Sequence, residues 1–246
     1  MFKLRLFSAA LLLMALCTAD FSISTLQAQQ EIPQKSDKIP QGRSLYMGRE
    51  IAQTMHYTGA PWLIRENREN EERCSLMLAN LNIKTGMTIC DMGCGNGFYS
   101  LQLAKMVGPD GEILAVDVQP QMLYLLRGRM EAEAIENVTP ILGSFHNPHL
   151  PKNRVDYILM VDVYHELSHP EVMLKYMRES LKEDGQIVLL EYREEDPKVP
   201  IKPLHKMSKK QILKEYTANG FKLNSEFDKL PWQHMMFFGK DPDWEK

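Results

Sequence analysis

The order of apolar and polar positions after Ile83 predicts an alternation of strands and helices. Short apolar runs predict five strands, at Met87–Met92, Glu112–Asp117, Val138–Leu142, Val155–Val161 and Gln186–Tyr192. Helical spacing between these runs predicts three helices, at Phe98–Val107, Pro120–Ala134 and Glu171–Lys182. Strands that are apolar throughout and separated by helices indicate a parallel sheet covered on both faces.

The C-terminal part of the chain has a different pattern. The stretch from Ser208 to Gln211 is a capping box, and it predicts a helix that ends near Gly220. Apolar and polar residues then alternate over Phe221–Phe227, and a second apolar run follows at Met235–Phe238. Two strands joined by a tight connection pair antiparallel. We therefore expect an α/β fold with a mostly parallel sheet that ends in a C-terminal antiparallel hairpin.

Residues 1–28 have the pattern of a secretory signal peptide. Lys3 and Arg5 precede an apolar run that ends at Ala19 and is shorter than a membrane-spanning helix needs. Cleavage could follow Ala19 or Ala28, and the polar residues after Ala28 favour the second position; an uncleaved anchor is the alternative. We expect an exported protein, periplasmic or envelope-associated, without stable membrane insertion once the signal is removed. It would be cytoplasmic if the start codon is misassigned.

Composition and charge narrow the classes of function. The formal net charge of the 246-residue chain is −3, so no strongly basic surface is expected and no nucleic-acid partner is predicted. Four cysteines are too few for a disulfide scaffold in a chain of this length. We expect one globular domain at 82–246, preceded by a polar linker at 29–43 and a helical segment at 44–81 with a break at Gly59 to Pro61.

A glycine-rich loop follows the first strand of the predicted sheet. Gly93, Gly95 and Gly97 come directly after Asp91 and stand where a strand gives way to a helix. Glycines at such a turn let a ligand approach the backbone closely. Their spacing is not the G-x-G-x-x-G of dinucleotide-binding proteins.

An acidic residue ends the second predicted strand. Asp117 lies about twenty residues beyond the loop, where a carboxylate can accept hydrogen bonds from ribose hydroxyls. The alternative is a helix-capping role, since Pro120 marks the start of a helix just beyond it.

Four blocks of sequence resemble the class I S-adenosylmethionine-dependent methyltransferases. They occur in the expected order and are LNIKTGMTICDMGCGNGFYS, GEILAVDVQPQML, VDYILMVDVYHEL and LKEDGQIVLLEY. The resemblance implies a Rossmann-like, seven-stranded sheet with a late antiparallel strand, and S-adenosylmethionine as the cofactor. The expected activity is methyl transfer.

The same resemblance implies which residues bind the cofactor. They are Asp91, Gly93, Gly95, Gly97, Asp117, Val118 and Ser144. Asp91 and the first two glycines would lie along the methionine part, Asp117 would hold the ribose, and Val118 would pack on the adenine. Ser144 stands where many members carry an acid that meets the adenine amino group.

Candidate catalytic residues lie after the fourth and fifth strands, because ligands of open α/β sheets bind beyond the carboxyl ends of the strands. They are Asp162, Tyr164, His165, Glu166, Glu191, Tyr192 and His205. A general base helps when the acceptor is a hydroxyl or a protonated amine. We predict that His165 faces the acceptor, with Asp162 and Tyr164 as further catalytic residues. Helix capping, core packing or a solvated charge is the structural alternative for each. The acceptor is expected to be a small molecule, and the sequence specifies neither its identity nor the oligomeric state.

The segment before the domain resembles the leader of one bacterial subgroup of these enzymes. It runs from Tyr46 to Glu72, and we place Trp62, Arg65 and Arg68 on a lid over the site. A packing helix with a solvated charged face explains the same pattern equally well.

Two other hypotheses remain open. His165-Glu166-Leu167-Ser168-His169 matches the H-E-x-x-H motif of zinc peptidases. That motif requires a helix, whereas Pro170 is typical of a helix start, so we assign no metal site. A non-catalytic ligand-binding protein is the other alternative, because S-adenosylmethionine is made in the cytosol; the intact glycine loop and Asp117 argue against it.

Overall fold

The computed structural model describes residues 41–244, so the predicted signal peptide and most of the predicted linker lie outside the described residues. The strands are β1 (Leu45–Tyr46), β2 (Arg49–Glu50), β3 (Thr88–Met92), β4 (Glu112–Asp117), β5 (Val138–Leu142), β6 (Val155–Val161), β7 (Leu181–Arg193), β8 (Lys206–Met207), β9 (Phe221–Glu226) and β10 (Gln233–Lys240). The α-helices are α1 (Ala60–Leu63), α2 (Arg68–Glu72), α3 (Cys74–Ala79), α4 (Phe98–Val107), α5 (Pro120–Ala132), α6 (Pro170–Ser180) and α7 (Lys209–Ala218).

One large sheet confirms the predicted fold class. Its strands lie in the order β5-β4-β3-β6-β7-β10-β9, and the two-residue strand β8 pairs with β7. Strands β5, β4, β3, β6 and β7 run parallel to one another. Strand β10 is antiparallel to both β7 and β9, which is the expected C-terminal hairpin. The resemblance implied seven strands, and β8 adds a short eighth.

The predicted bounds of several elements are confirmed. The strands β4, β5 and β6 and the helix α4 begin and end where the pattern places them. Helix α6 begins one residue early, at Pro170, because a proline in the first turn removes an N–H that has no partner within the helix. Strand β7 begins at Leu181 rather than Gln186, since Leu181 already pairs with Val155 of β6.

The core has two parts, one on each face of the sheet. Successive strand residues belong to different parts: Val188 and Leu190 to one, Leu189 to the other. Helices α3, α4 and α5 contribute to the first part, and α6 and α7 contribute to the second. This arrangement follows because side chains alternate between the two faces along a strand. Since both faces are buried, almost every position of these strands is apolar in the sequence.

Three thiols are buried within this core. Cys74, Cys90 and Cys94 are free cysteines, each at most 6% exposed. Burial raises the pKa of all three thiols. Since the thiolate is the reactive form, these side chains behave as small apolar residues.

The N-terminal segment is less helical than predicted. Residues 44–58 do not form a helix: β1 and β2 make a small antiparallel hairpin, and the chain is then irregular up to a 3-10 turn at Tyr57–Gly59. The expected break at Gly59 to Pro61 is the start of α1, with Pro61 in its first turn. The uninterrupted helix expected between that break and residue 81 is also wrong, because Arg73 adopts a left-handed conformation (φ 52°) and separates α2 from α3.

The described end of the predicted linker contacts the sheet domain. The Arg43 backbone N–H donates to the Ser168 carbonyl at 2.8 Å, and the Arg43 guanidinium pairs with Glu171 of α6. Between residues 41 and 244, the chain contains no helix that is both long and apolar enough to cross a membrane.

The cap of α7 gives a stability test. Ser208 is the N-cap residue, and its side chain accepts a hydrogen bond from the Gln211 backbone N–H, as the capping box predicts. Replacing such a cap with alanine costs about 1 kcal/mol. We expect Ser208→Ala to lower the free energy of unfolding by about this amount in urea titrations. Ser208→Asp retains a capping oxygen and should stay close to wild type; equal losses in both variants would contradict the capping role.

Candidate functional site

A cavity of about 530 Å³ lies at the carboxyl ends of the parallel strands. Its walls come from the loops after β3, β4, β5 and β6, from the N-terminal segment and from the loop that follows β7. The volume is within the range of small-molecule and cofactor sites, roughly 300–1,000 Å³. The location agrees with the rule for ligands of open α/β sheets.

Most of the predicted site residues meet in this cavity. Those that line it are Gly93, Gly95, Asp117, Val118, Ser144, Asp162, His165, Glu166, Tyr192 and His205. The predicted residues that do not line it are Asp91, Gly97, Tyr164 and Glu191. Residues that the sequence analysis did not single out also contribute, among them Met55, Gln119, Phe145 and Ile201.

The glycine loop is held against the end of β4. The backbone N–H groups of Gly93 and Cys94 both donate to the Val116 carbonyl, at 2.8 and 2.9 Å. Gly95 has φ +53°, and a Cβ there would lie 2.5 Å from Leu63 Cδ1 of α1. A side chain at Gly95 would therefore collide first with the segment that covers the cavity.

Gly97 has a packing role rather than a position on the cavity wall. It is the N-cap residue of α4 with φ +81°, and a Cβ there would lie 2.3 Å from Leu126 Cδ1. The third glycine lets the loop pack tightly against α5.

Asp117 connects the loop to the next turn. Its Oδ2 accepts from the Gly95 N–H at 3.0 Å, and its Oδ1 accepts from the Gln119 N–H at 2.8 Å. Gln119, not Asp117, is the N-cap residue of α5, so the helix-capping alternative does not describe this carboxylate. Burial raises the pKa of Asp117, partly offset by these hydrogen bonds. A carboxylate has about four acceptor sites, so lone pairs remain for a ligand in the cavity.

The second group of polar side chains surrounds His165. The side chain is 2% exposed, its Nδ1 lies 2.6 Å from Glu191 Oε2, and its Nε2 lies 3.0 Å from His205 Nδ1. The other oxygen of Glu191 accepts from the His165 backbone N–H at 3.1 Å. Glu191 is fully buried and thereby fixes the orientation of the imidazole.

The charged side chains around His165 shift one another's pKa values. Burial lowers the pKa of His165, but the carboxylate of Glu191 outweighs it and the net shift is upward. Burial raises the pKa of Glu166 to about 7, against the influence of His165. The pKa of His205 is lowered by burial and by His165. Groups with pKa values shifted in this way are typical of sites that move protons or bind charged ligands.

Asp162 brings an unsatisfied acceptor to the cavity. Its Oδ2 accepts from Gln233 Nε2 at 2.8 Å, whereas its Oδ1 is buried and has no hydrogen-bond partner among the described residues. The residue also adopts a left-handed conformation (φ 56°), which is uncommon outside glycine. Strained backbone with an open acceptor is typical of a functional position.

The N-terminal segment covers the cavity. Trp62, Leu63 and Arg68 line it, and Arg68 Nε donates to Glu72 Oε2 at 2.8 Å. Arg68 and Glu72 are buried, at 5% and 0% exposure, so a solvated charged face does not describe this part of the segment. Arg65 also pairs with Glu72, at 2.5 Å, and stacks on Trp62.

Comparison with known proteins decides the family. The sequence profile of a family described as a methyltransferase domain matches residues 83–236, more than half of the chain. The chain belongs to this methyltransferase family. The match covers the glycine loop, Asp117 and the residues around His165.

Individual relatives agree with this family. The demethylmenaquinone methyltransferase of Staphylococcus aureus is 26% identical over 166 residues, which is 67% of each chain. A SAM-dependent methyltransferase from Aquifex aeolicus has a TM-score of 0.71 at 24% identity and covers 75% of this chain and 98% of that chain. A protein from Pyrococcus horikoshii has a TM-score of 0.61 at 16% identity, covering 76% and 100%. The structural likenesses show the shared fold of S-adenosylmethionine-dependent methyltransferases.

Tyr164 does not take the position predicted for it in this methyltransferase. Its hydroxyl donates to Glu215 Oε2 of α7 at 2.8 Å, and its ring lies under the Arg49 guanidinium. The side chain is fully buried and does not line the cavity. Tyr164 and His165 are successive residues of a 3-10 turn, so their side chains point in different directions.

The H-E-x-x-H motif does not have the geometry of a zinc peptidase. Its two histidines belong to different elements: His165 lies in the 3-10 turn Tyr164–Glu166, and His169 precedes α6. The motif requires both imidazoles on one face of one helix. Two further histidines lie on the loop after β5: His149 is exposed, and His146 is half-buried with its ring 6.0 Å from that of His169.

Asp91 supports the glycine loop of the methyltransferase from behind. Its Oδ2 accepts from Ser100 Oγ of α4 at 2.5 Å, and the residue is 3% exposed. Burial raises the pKa of this carboxyl from 3.8 to about 6, so its charge is held in an unfavourable environment.

The Asp91 carboxyl predicts a pH-dependent stability difference. Because the folded-state pKa lies above the unfolded-state pKa, folding disfavours the ionised carboxylate. The resulting loss in the free energy of unfolding grows between about pH 4 and pH 6 and is constant above pH 6. At 1.36 kcal/mol per pKa unit, the full cost is about 3 kcal/mol. In urea titrations, Asp91→Asn should therefore gain stability relative to wild type as the pH rises from 4 to 8. The exposed Asp110→Asn serves as the control, and a difference for Asp91→Asn that does not change with pH would contradict the assignment.

Proposed function

We propose that the protein binds S-adenosylmethionine and transfers its methyl group to a small molecule in the same cavity. The observation that supports this proposal best is the distribution of polar groups along the sheet edge. The glycine loop and Asp117 follow β3 and β4, whereas His165 and Glu191 belong to the β6 and β7 side. The cavity therefore has one side suited to a nucleoside and another suited to an acceptor.

The residues present fit this cofactor. Asp117 keeps free lone pairs for ribose hydroxyls, and Val118 and Ser144 also line the cavity, where they would contact the adenine. The unpartnered Oδ1 of Asp162 offers an acceptor for a positively charged group such as an ammonium. Arg68, buried at the cavity wall, offers a guanidinium for a carboxylate.

When bound, S-adenosylmethionine supplies an electrophilic methyl group on a sulfonium, and the protein mainly positions the acceptor atom in line with it. His165 is held by Glu191 so that Nδ1 carries a proton and Nε2 faces His205 and the cavity. An imidazole in this arrangement can take the proton that a hydroxyl acceptor loses as the new bond to carbon forms. Asp162 and His165 thus remain catalytic candidates, and Tyr164 becomes a structural residue.

A small-molecule acceptor is supported by the closure and lining of the cavity. Phe145, Leu167, Pro200 and Ile201 contribute apolar side chains to the lining of the cavity. The N-terminal segment and the loop at 200–205 cover this region, which leaves room for a compact molecule rather than a polymer. The net charge of −3 gives no support for a nucleic-acid partner.

Cofactor binding is tested through Asp117. Asp117→Ala removes hydrogen-bond acceptors for the ribose; bonds to a charged group contribute about 1.5–3 kcal/mol, so affinity for S-adenosylhomocysteine should fall at least about tenfold. The measurement is titration calorimetry, supported by thermal shift, and the exposed Asp110→Ala is the matched control. Undiminished affinity in Asp117→Ala would refute the placement of the cofactor.

Catalysis is tested separately from binding. Labelled S-adenosylmethionine, offered with a panel of small apolar acceptors that carry hydroxyl or amine groups, should yield a labelled product with wild type. Cofactor binding without transfer to any member of the panel would favour the non-catalytic ligand-binding alternative.

We also propose that the chain is exported, on the evidence of Lys3, Arg5 and the apolar run that follows them. Residues 1–35 fused to a reporter that is active only outside the cytoplasm should give signal. Leu12→Arg interrupts the apolar run and should abolish that signal. A wild-type fusion that stays soluble and silent in the cytoplasm would show that the protein is cytoplasmic.

A further inference from the structure

We propose that His165, Glu166 and His205 bind a divalent metal ion of the zinc type at the wall of the cavity. Three potential ligand atoms converge there: His165 Nε2, His205 Nδ1 and Glu166 Oε1. The two nitrogens are 3.0 Å apart, and Oε1 lies 3.9 Å from His165 Nε2 and 3.8 Å from His205 Nδ1.

These separations leave room for one ion. The circle through three points at such distances has a radius of about 2.1 Å, so one position is equally far from all three atoms, at the length of zinc bonds to imidazole nitrogen and carboxylate oxygen. Two imidazoles and one carboxylate are also a donor set that suits zinc and ferrous iron better than magnesium.

The surroundings of His165 match those of a metal-binding histidine. Glu191 Oε2 lies 2.6 Å from His165 Nδ1, which places the proton on Nδ1 and leaves the lone pair of Nε2 for the ion. A carboxylate behind the histidine in this way orients the ring and strengthens it as a ligand. Glu191 is fully buried and also accepts from the His165 backbone, so the ring is fixed before any ion binds.

A hydrogen bond between the two histidines explains only part of this arrangement. It accounts for the 3.0 Å between the nitrogens, but Glu166 Oε1 is too far from either imidazole for a hydrogen bond. Oε1 accepts from the Met55 N–H at 3.2 Å, which holds it near both rings without a hydrogen bond to either. An ion in that space would bind all three groups at once.

The site would leave coordination positions open toward the cavity. All three residues line the cavity, and three protein ligands plus an open position are the pattern of catalytic rather than structural zinc. The chemical class of ligand for the open position is an oxygen donor, such as a hydroxyl or carbonyl of the methyl acceptor. This role toward the acceptor rests on the proposed methyl transfer, whereas binding of the ion does not. In the metal-bound form His165 Nε2 is a ligand, so the ion and not the imidazole would assist the loss of the acceptor proton.

The sequence contains two of the three ligands in a recognisable motif. His165 and Glu166 begin the H-E-x-x-H pattern, but the third ligand is His205, from the 3-10 turn Pro203–His205 that follows β7. Because His205 is far from the other two ligands along the chain, no local sequence pattern could identify all three.

The experiment uses the full chain, stripped with a chelator and titrated with zinc chloride by calorimetry, with bound metal counted by mass spectrometry after dialysis. Wild type should bind one equivalent of zinc. His205→Ala and Glu166→Gln should each weaken zinc binding by at least about 100-fold, and Glu191→Gln by about 10- to 100-fold. The exposed His149→Asn is the matched control and should bind as wild type does.

Two further measurements make the outcome decisive. Cobalt in place of zinc should give the visible absorption of a low-coordinate ion in wild type, and His205→Ala should lose it. The thermal shift by S-adenosylhomocysteine should persist in His205→Ala, which shows that the variant is folded and keeps a failure of the metal site separate from a failure of cofactor binding. Wild type without bound zinc, or His205→Ala with wild-type zinc affinity, would overturn the proposal.

Discussion

The buried carboxylate of Glu72 holds the cover of the cavity in place. It accepts hydrogen bonds from Arg65 Nη2 at 2.5 Å, from Arg68 Nε at 2.8 Å and from the Tyr192 hydroxyl at 2.8 Å. Tyr192 belongs to β7, so one fully buried charge joins the N-terminal segment to the sheet. Removing one partner from such a network leaves the others buried and unpaired, which typically costs about 3–5 kcal/mol. Helices of four to six residues have little stability of their own, so the cover depends on these contacts.

This constraint also shapes the cavity. The parallel strands alone would present an open row of loops, as an α/β sheet does at its carboxyl edge. With the segment from Met55 to Arg68 packed across it, that edge becomes a partly covered space lined by both charged and apolar groups. Partial cover strengthens the charge interactions inside, because less water screens them. The glycine loop and the group around His165 therefore belong to a single environment.

Much of the fold could be predicted from the sequence because its strands are buried on both faces and its helices separate them. The bounds of β4, β5 and β6 follow directly from that pattern. The N-terminal segment was predicted poorly, since its charged residues form buried pairs rather than a solvated helix face, and no local pattern distinguishes the two cases. Arg73 in a left-handed conformation is equally invisible in the sequence.

The candidate site shows the same limit. Positions fixed by one strand and one turn, such as Gly93 and Asp117, were placed correctly in the cavity. The direction of a side chain in a 3-10 turn was not predictable, and Tyr164 consequently points to α7 rather than to the cavity. His205 meets His165 only because a loop after β7 returns to the carboxyl edge of the sheet. Contacts between residues 40 positions apart depend on the tertiary structure and leave no periodic signal.

The three buried thiols determine how the described domain responds to a reducing or an oxidising compartment. Cys74, Cys90 and Cys94 lie in the core with raised pKa values, so none offers a thiolate to an oxidant or to a disulfide-exchange partner. The native state is stabilised by apolar packing and buried ion pairs, so its stability does not depend on the redox potential of the compartment. The described domain can therefore have the same covalent structure in a reducing and in an oxidising compartment.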